Sequence, residues 1–324
     1  MVSVLLATFN GEKYISAQIE SLLSQSFQGF KLYICDDRST DGTFSVISDF
    51  AVKYPEKIFV SQNEENAGGA KYNFLKMMID FKDDYVMLCD QDDVWQSDKI
   101  EKSLNKIKEM EEEFGSSIPI LVHTDLTVVN DELNVISSSY EKMSNKDFDI
   151  TSLNFAVTMN NVAGCTAIYN RALADLIRGV PDFIVMHDWW LSLTAAALGK
   201  IGAVHEPTVL YRQHKDNDSG AKRVLSIKYI YYVLTHLNRM AAMIDDSYKQ
   251  AGVFFESFKD RLSEDSSELL CAYASIPGLS RWKRLRVVRK YRTFMFGFAR
   301  KAAQVLILLV HKGQGIAEQV RNDG

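Results

Sequence analysis

Short apolar runs alternate with amphipathic segments over the first hundred residues of the chain. Runs rich in β-branched and aliphatic residues predict buried strands at residues 2–7, 30–35, 58–61 and 85–89. Between these runs, apolar residues recur every three or four positions, which predicts helices with one buried face. Strands that alternate with helices are typical of an α/β domain with a mainly parallel sheet.

The pattern changes after residue 220, where turn residues become rare and helical periodicity continues to the end of the chain. We therefore expect a domain boundary near Gly220, with an α/β domain over residues 1–220 and a helical region over residues 221–324. The further elements expected before this boundary are strands at residues 118–123, 126–129, 163–169 and 203–211 and a helix at residues 187–198.

Composition is that of an ordinary globular protein, with 47% hydrophobic and 24% charged residues among 324. The cysteines at positions 35, 89, 165 and 271 are far apart and form no CxxC pair. This spacing favours reduced thiols in a cytosolic protein. The first residues read directly as a strand, without a basic region or a cleavage site, so we expect no secretion signal.

The net charge of -5 is unevenly distributed along the chain. Residues 281–324 hold eleven Lys or Arg and two Asp or Glu, and seven of the positive charges fall within residues 281–292. Aromatic and aliphatic residues interleave with them, and the apolar run at residues 305–310 is too short to span a bilayer. Two interpretations stay open, a basic amphipathic surface at the inner face of the cell membrane and a helical bundle packed on the α/β domain. The acidic remainder makes nucleic-acid binding a poor third interpretation.

Polar residues follow three of the predicted strands at the point where each strand ends. The first strand leads into Thr8-Phe9-Asn10, the second into Asp36-Asp37, and the fourth into Asp90-Gln91-Asp92-Asp93. Any one of these alone is better explained by the preference of Asp and Asn for turns and helix caps. The carboxyl ends of parallel strands meet at one edge of a sheet, where ligands bind, so the three together favour a functional site.

The acidic turn at residues 90–93 has the spacing of a site for a hard cation. Two carboxylates separated by one residue can face the same Mn²⁺ or Mg²⁺ ion, and such an ion takes its remaining ligands from water and substrate phosphates. A metal ion there stabilises the charge that develops on a diphosphate leaving group. An Asp-x-Asp pair is common by chance, so its place at a strand end carries the hypothesis.

The motifs in combination and order resemble those of glycosyltransferase family 2 over roughly residues 1–215. The resemblance rests on the segments SVLLATFNGEKYI, LYICDDRSTDGT, NAGGAKYNF and YVMLCDQDDVW. It implies a GT-A fold, with a Rossmann-like mixed sheet flanked by helices, and an inverting, metal-dependent transfer of a sugar from a nucleotide-sugar donor. Within the family, the segments CDQDDVW, HDWW and YRQH are similar to those of bacterial rhamnosyltransferases of polysaccharide assembly.

The resemblance also implies roles for individual residues. The carboxylate of Asp37 matches the group that accepts a hydrogen bond from the pyrimidine, and Asp90 and Asp92 match the metal motif, with Asp93 bracing the turn. Lys71 stands near a position where many members carry Arg, which weakens any assigned contact with the diphosphate. The other residues expected to border the nucleotide sugar are Ala7, Thr8, Asn10, Asn66, Gly68 and Gly164.

Asp188, within His187-Asp188-Trp189-Trp190, matches the family's catalytic base. An inverting transferase needs a carboxylate within hydrogen-bond reach of the acceptor hydroxyl. A carboxylate at the start of a helix also stabilises the helix dipole, so the residues alone leave a structural role open. His187 is compatible with orienting this base or holding the acceptor sugar, although a lone His is more often structural. Arg212 and His214 end the last predicted strand, where they can reach the diphosphate or the metal, and residues 216–220 are expected to form a closing loop.

The implied donor is dTDP-L-rhamnose, and the implied acceptor is a glycan or lipid-linked glycan precursor. Two other classes stay open, a nucleotidyltransferase and a non-catalytic scaffold on the same fold. The first should carry a basic, glycine-rich loop for a triphosphate, whereas residues 7–14 hold one glycine and one lysine. A scaffold would need no catalytic base, so replacement of Asp188 distinguishes it from a glycosyltransferase. A homo-oligomer is compatible with the sequence.

Overall fold

A computed structural model of the protein describes residues 1–215 and 236–310. All nine strands in these ranges belong to one sheet. The strands are β1 (Val2–Thr8), β2 (Phe30–Asp36), β3 (Ile58–Gln62), β4 (Tyr85–Cys89), β5 (Val94–Trp95), β6 (Ile120–Asn130), β7 (Val135–Ser137), β8 (Ile168–Asn170) and β9 (Lys200–Gln213).

Helices cover both faces of this sheet, and the last four form the described part of the C-terminal region. Two 3₁₀ turns, Gly164–Thr166 and Ile276–Gly278, connect neighbouring elements. The helices are α1 (Ile15–Leu23), α2 (Thr43–Lys53), α3 (Ala70–Asp80), α4 (Lys99–Phe114), α5 (Tyr140–Met143), α6 (Leu153–Ala156), α7 (Arg171–Ala174), α8 (His187–Leu198), α9 (Leu237–Phe258), α10 (Glu264–Ala274), α11 (Arg281–Tyr291) and α12 (Phe298–Val310).

The sheet is mixed, with strand order β3-β2-β1-β4-β8-β6-β9-β5 and β7 paired to β6. The first four strands are parallel, as predicted, and β8 pairs antiparallel with both β4 and β6. Within the parallel half, Thr8 is in register with Asp36 and Leu6 with Cys89. The polar residues that follow β1, β2 and β4 therefore meet at one edge, which confirms the expected placement.

The prediction of two separate strands at residues 118–123 and 126–129 is wrong, because β6 runs through both. The polar pair between them stays inside the sheet with its hydrogen-bonding groups satisfied. Oγ1 of Thr124 lies 2.6 Å from Oγ1 of Thr208, and a carboxylate oxygen of Asp125 accepts bonds from three backbone N–H groups. The pairing of β6 with β9 shifts register near Asp125, as at a β-bulge.

The predicted strand at residues 163–169 is also wrong over its first half. Gly164–Thr166 is a 3₁₀ turn, and only the last residues of the segment enter β8. The hydroxyl of Thr166 donates to the carbonyl of Ala163 at 2.7 Å and closes the turn locally. A side chain that competes for backbone groups in this way disfavours a strand.

The described C-terminal helices share one hydrophobic core with the sheet. Phe254 of α9 packs against Trp190 of α8 with ring centroids 5.2 Å apart, and Ile307 of α12 lies in the same cluster. The guanidinium of Arg300 donates to the carbonyls of Ser144 and Asn145. Helices α9 to α12 are therefore packed on the α/β domain.

Two of the predictions fall outside the described residues, namely the closing loop at residues 216–220 and the domain boundary near Gly220. Among the helices of residues 1–215 and 236–310, none has the length and hydropathy that a bilayer span requires.

Candidate active site

Of the pair Asp36-Asp37 at the end of β2, Asp36 is bonded to the neighbouring strand and Asp37 is bonded to the loop after β3. Asp36 accepts from the hydroxyl of Thr8 at 3.0 Å, so the Thr8 side chain is occupied inside the fold. Asp37 accepts from Asn63 Nδ2 at 2.7 Å and from the backbone N–H of Ala67 at 2.6 Å, both on Oδ1. Asn66 donates to the carbonyl of Asp37 at 2.9 Å. Thr8, Asp37 and Asn66, which are predicted to border the nucleotide, therefore lie close together.

The loop after β1 is joined to the acidic turn by Gln91. Its side chain accepts from the N–H of Phe9 at 2.9 Å and donates to the carbonyl of Phe9 at 3.0 Å. A Cβ on Gly11 would lie 2.3 Å from Oε1 of Gln91, so glycine permits this close approach. Asn10 adopts a left-handed φ of 49°, and its Oδ1 accepts from the N–H of Thr40. The two hydrogen bonds between Gln91 and the backbone of Phe9 fix the β1 loop against residues 90–93.

Asp90 and Asp93 converge within the acidic turn. Their carboxylate oxygens and the sulfur of Cys165 lie within 4.8 Å of one another. Oδ1 of Asp93 accepts from the backbone N–H of Arg212 at 3.1 Å, which is the bracing role expected for Asp93. Its Oδ2 is buried and has no hydrogen-bond partner in the described part of the chain. Burial and the neighbouring charges of Asp92 and Asp90 raise the pKa of Asp93 well above its ordinary value.

A divalent cation fits this arrangement. It would offset the mutual repulsion of three carboxylates within four residues and supply charge beside an orphaned carboxylate oxygen. A buried thiol whose pKa is raised suits a hard cation poorly, so Cys165 is a weak candidate ligand. The oxygens of Asp90 and Asp92 have the chemistry that Mn²⁺ and Mg²⁺ favour.

Asp92 contacts the end of β9 through His214. Nε2 of His214 lies 2.7 Å from Oδ2 of Asp92, and the imidazole stacks on Tyr14 with ring centroids 4.8 Å apart. The hydroxyl of Tyr14 donates to Asp131 at 2.6 Å. The two side chains are close enough that Asp92 and His214 would both reach one divalent ion, to which they would offer an oxygen and a nitrogen ligand.

Arg212 braces the acidic turn from β9. Its Nε donates to the carbonyl of Asp92 at 2.8 Å, and its NH1 donates to the carbonyl of Asp131. The guanidinium carbon lies 4.9 Å from the ring centroid of Tyr14, and the residue is buried. The predicted contact of Arg212 with a diphosphate competes with these bonds.

Asp188 lies in the first turn of α8 and faces the 3₁₀ turn Gly164–Thr166, which approaches the acidic turn through Cys165. Its Oδ2 accepts from the backbone N–H of Gly164 at 3.1 Å. The next residue, Cys165, approaches Asp90 and Asp93. The neighbouring residues Gly164 and Cys165 therefore contact Asp188 on one side and the acidic turn on the other. Burial raises the pKa of Asp188 to about 6, which is well placed for a general base near neutral pH.

The N-terminal turn of α3 borders the segment before Asp188. Gly68 and Gly69 have φ values of 88° and 118°, which glycine adopts without strain. Nζ of Lys71 donates to the carbonyl of Ile184 at 3.1 Å. Lys71 therefore holds the base segment in this structure, beside the position where the resemblance expects a diphosphate.

Sequence reasoning missed two residues of this site, Gln91 and Tyr14. Gln91 was visible inside the acidic motif, but its partner is the backbone of Phe9, which no side-chain pattern reveals. Tyr14 is placed by contacts with Asp131 and His214, more than a hundred residues away.

The sheet order and the acidic strand ends are those of a GT-A glycosyltransferase. Residues 3–177 match the model of glycosyl transferase family 2, and the chain belongs to this family. Asp188, Arg212 and His214 lie beyond the matched range.

Two relatives illustrate the similarity in sequence. The dTDP-rhamnosyl transferase RfbG of Shigella flexneri is 28% identical over 239 residues, which cover 69% of this chain and 76% of that protein. The UDP-Glc:alpha-D-GlcNAc-diphosphoundecaprenol beta-1,3-glucosyltransferase WfaP of Escherichia coli is 32% identical over 129 residues, or 40% of this chain and 49% of that protein. The chain is thus a glycosyltransferase whose relatives differ in their sugars.

Two solved structures share the fold at low identity. TarS of Staphylococcus aureus, residues 1–349 in complex with UDP, has a TM-score of 0.52 and 17% identity, covering 90% of this chain and 89% of that one. The mannosyltransferase PcManGT of Pyrobaculum calidifontis, in complex with GDP-Man and Mn²⁺, has a TM-score of 0.52 and 16% identity, covering 94% and 78%. At these identities the likeness concerns the fold.

Proposed function

We propose that the protein is an inverting glycosyltransferase in which Asp188 is the catalytic base. The observation that carries the proposal is the hydrogen bond from the backbone N–H of Gly164 to Asp188. The next residue, Cys165, approaches Asp90 with its sulfur, so Asp188 lies near the acidic turn. Single displacement needs a base within reach of the acceptor hydroxyl, and a cation at the acidic turn would stabilise the leaving diphosphate.

In the proposed reaction, the oxygen of an acceptor hydroxyl attacks the anomeric carbon of the donor sugar. The bond from that carbon to the β-phosphate oxygen breaks, and its electron pair leaves with the nucleoside diphosphate. Asp188 takes the hydroxyl proton, for which it must be ionised, and a pKa of about 6 leaves it ionised at pH 7.

The residues proposed to hold Mn²⁺ or Mg²⁺ are Asp90, Asp92 and His214. Asp92 contacts His214, whereas Asp90 groups with Asp93 and Cys165. When bound, the ion supplies positive charge that stabilises the diphosphate as it leaves. Asp93 and Arg212 hold the turn that carries the first two ligands. Asp37, Asn66 and the β1 loop would receive the nucleotide at the same edge.

We propose dTDP-L-rhamnose as the donor and a lipid-linked glycan precursor of a cell-surface polysaccharide as the acceptor. The name of the Shigella relative supports the donor, and the lipid diphosphate in the name of the WfaP substrate supports the acceptor. The second candidate is a transferase that uses another dTDP- or UDP-sugar on the same site.

Thermal-shift titration tests the donor site. Purified protein is heated with dTDP-L-rhamnose, UDP-GlcNAc, UDP-glucose or GDP-mannose, each with Mn²⁺ or with EDTA. We expect dTDP-L-rhamnose with Mn²⁺ to raise Tm most, because a ligand that binds only the folded state stabilises it. A larger shift with UDP-GlcNAc or UDP-glucose would support the second candidate, and no shift with any of the four would contradict the proposed site.

We further propose that α11 and α12 place the enzyme at the cytoplasmic face of the membrane. Trp282 is 72% exposed in α11, which holds six Lys or Arg, and Phe298 is 90% exposed at the start of α12. Exposed aromatic residues among positive charges suit an anionic lipid surface. Because Ile307 and Leu308 are buried in the core, deletion of this region would also damage the fold.

Substitution at the exposed aromatic positions is therefore the cleaner test. We expect the wild-type protein to sediment with phosphatidylglycerol vesicles and the double variant Trp282→Ser, Phe298→Ser to remain in the supernatant. Val52→Ser, at an apolar residue that is 81% exposed on α2, is the matched control and should sediment as wild type does. Equal sedimentation of the double variant would contradict membrane contact through these helices.

A further inference from the structure

The aromatic ring of Tyr14 packs against two residues at the end of β9. Its centroid lies 4.8 Å from that of the His214 imidazole, with 27° between the ring planes, and 4.9 Å from the guanidinium carbon of Arg212. Side chains two residues apart in an extended segment lie on the same side, so one ring can contact both. Tyr14, which directly precedes α1, therefore joins the loop after β1 to the end of β9.

The hydroxyl of Tyr14 is held by Asp131, in the turn between β6 and β7. It donates to Oδ1 of Asp131 at 2.6 Å, and Nζ of Lys13 donates to Oδ2 of the same carboxylate at 2.6 Å. A carboxylate that bonds two consecutive residues restrains the position of both. The Tyr14 ring is thus held at its hydroxyl end as well as at the face that His214 contacts.

The contacts of His214 fix the direction in which its imidazole points. Nε2 lies 2.7 Å from Oδ2 of Asp92, and the His214 side chain is 10% exposed. The contact with Asp92 restrains one edge of the ring, and the stack on Tyr14 restrains its plane. An imidazole that is ordered on folding presents its nitrogen to an ion beside Asp92 without a further loss of side-chain entropy.

We propose that Tyr14 is a positioning residue of the metal site, where it holds the imidazole of His214 beside Asp92. The inference rests on the proposed function of the acidic turn and adds to it the residue that orients one proposed ligand. Tyr14 acts through His214, because its own hydroxyl is bonded to Asp131. Replacement of a side chain that orients a metal-ligating histidine commonly weakens metal binding about 10–100-fold.

The test measures Kd for Mn²⁺ from the paramagnetic resonance signal of the free ion, in excess dTDP and, separately, in excess UDP. We expect Tyr14→Leu to raise this Kd about tenfold, because it removes the ring on which His214 stacks. Tyr14→Gln, a polar replacement for this partly exposed residue, should raise Kd to the same extent. Tyr14→Phe keeps the ring and loses only the hydroxyl, so its Kd should stay within about threefold of wild type.

A double-mutant cycle with His214→Ala shows whether Tyr14 acts through the imidazole. In the protein that already lacks His214, Tyr14→Leu should change the Kd for Mn²⁺ by less than about twofold. An equal loss of affinity in both backgrounds would show that Tyr14 supports the acidic turn by another route, such as its contact with Arg212, and would overturn the inference.

Tyr85 supplies a matched control, at the opposite end of β4 from the acidic turn. Its hydroxyl donates to Glu111 at 2.6 Å, as that of Tyr14 donates to Asp131, and the residue is likewise partly buried. Tyr85→Leu should leave the Kd for Mn²⁺ unchanged. If folded Tyr14→Leu and Tyr14→Gln bind Mn²⁺ as tightly as wild type, the inference is overturned while the proposed ligands stand. Failure of the wild type to bind Mn²⁺ would instead overturn the proposed metal site itself.

Discussion

The backbone N–H of Gly164 donates to the carboxylate of Asp188 at 3.1 Å. This bond joins α8 to the 3₁₀ turn that passes the acidic cluster, and it holds one oxygen of the carboxylate in place. The other oxygen, Oδ1, is buried and has no partner in the described part of the chain. A carboxylate with one fixed and one unpaired oxygen is oriented to accept a proton from a substrate.

Asp188→Asn should stabilise the protein at neutral pH. The pKa of Asp188 in the folded state, about 6, lies above the ordinary Asp value of 3.8, so the folded state binds the proton more tightly. The ionised form therefore costs stability above pH 6, and this cost disappears below about pH 4. We expect unfolding free energy to rise by about 1–3 kcal/mol at pH 7.5 in the variant.

Urea unfolding at pH 7.5 and pH 4 measures this difference. The control is Asp260→Asn at an exposed position beyond α9, which should leave the unfolding midpoint unchanged at both pH values. A variant of Asp188 that is less stable than wild type at pH 7.5 would show that the carboxylate supports the fold and is not held there for function.

Removal of a metal ligand should raise the metal concentration that activity requires. Asp92→Asn and His214→Ala each alter one member of the pair whose atoms lie 2.7 Å apart. We expect the Mn²⁺ concentration for half-maximal activity to increase at least about tenfold in each variant. EDTA should abolish activity of the wild type.

Asp98→Asn is the control for this experiment, because Asp98 is a nearby carboxylate that pairs with Lys102 on the surface. Its metal dependence should equal that of wild type. Unaltered Mn²⁺ dependence in both ligand variants would exclude Asp92 and His214 from the metal site.

Gln250 of α9 should affect catalysis by positioning the base segment. Its Oε1 accepts from the backbone N–H of Val185 at 2.8 Å, and Lys71 holds the neighbouring carbonyl of Ile184. Gln250→Leu removes this acceptor, so we expect kcat to fall about tenfold with little change in nucleotide affinity. Steady-state kinetics and calorimetry separate the two effects.

Ser257→Ala on the exposed side of the same helix provides the comparison, since its hydroxyl bonds only within α9. It should behave as wild type in both assays. If Gln250→Leu retains full kcat at a normal melting temperature, the C-terminal region has no part in positioning Asp188.

The parallel half of the sheet could be predicted because its signals are local. β1, β2 and β4 are continuous apolar runs followed by polar turns, and their parallel pairing brings Thr8, Asp37 and Asp90 to one edge. The candidate site was found for the same reason, since three polar strand ends in an α/β domain point to a shared edge.

Long-range contacts explain what the sequence could not reveal. The course of β6 through Thr124 and Asp125 depends on partners such as Thr208, which lies 84 residues away. The contact of His214 with Asp92 spans 122 residues. Local patterns carry no information on such pairs, so the supports of the acidic turn emerge only from the fold.

The most direct test of the account is sugar transfer by Asp188→Asn with the preferred donor, a polyprenyl-diphosphate-linked acceptor and Mn²⁺. We expect transfer to fall about 10²–10⁴-fold, because the variant cannot take the proton of the attacking hydroxyl. The Kd for the nucleotide sugar should stay within about threefold of wild type. A variant that keeps comparable transfer activity while binding the donor normally would contradict the assignment of Asp188 as the base.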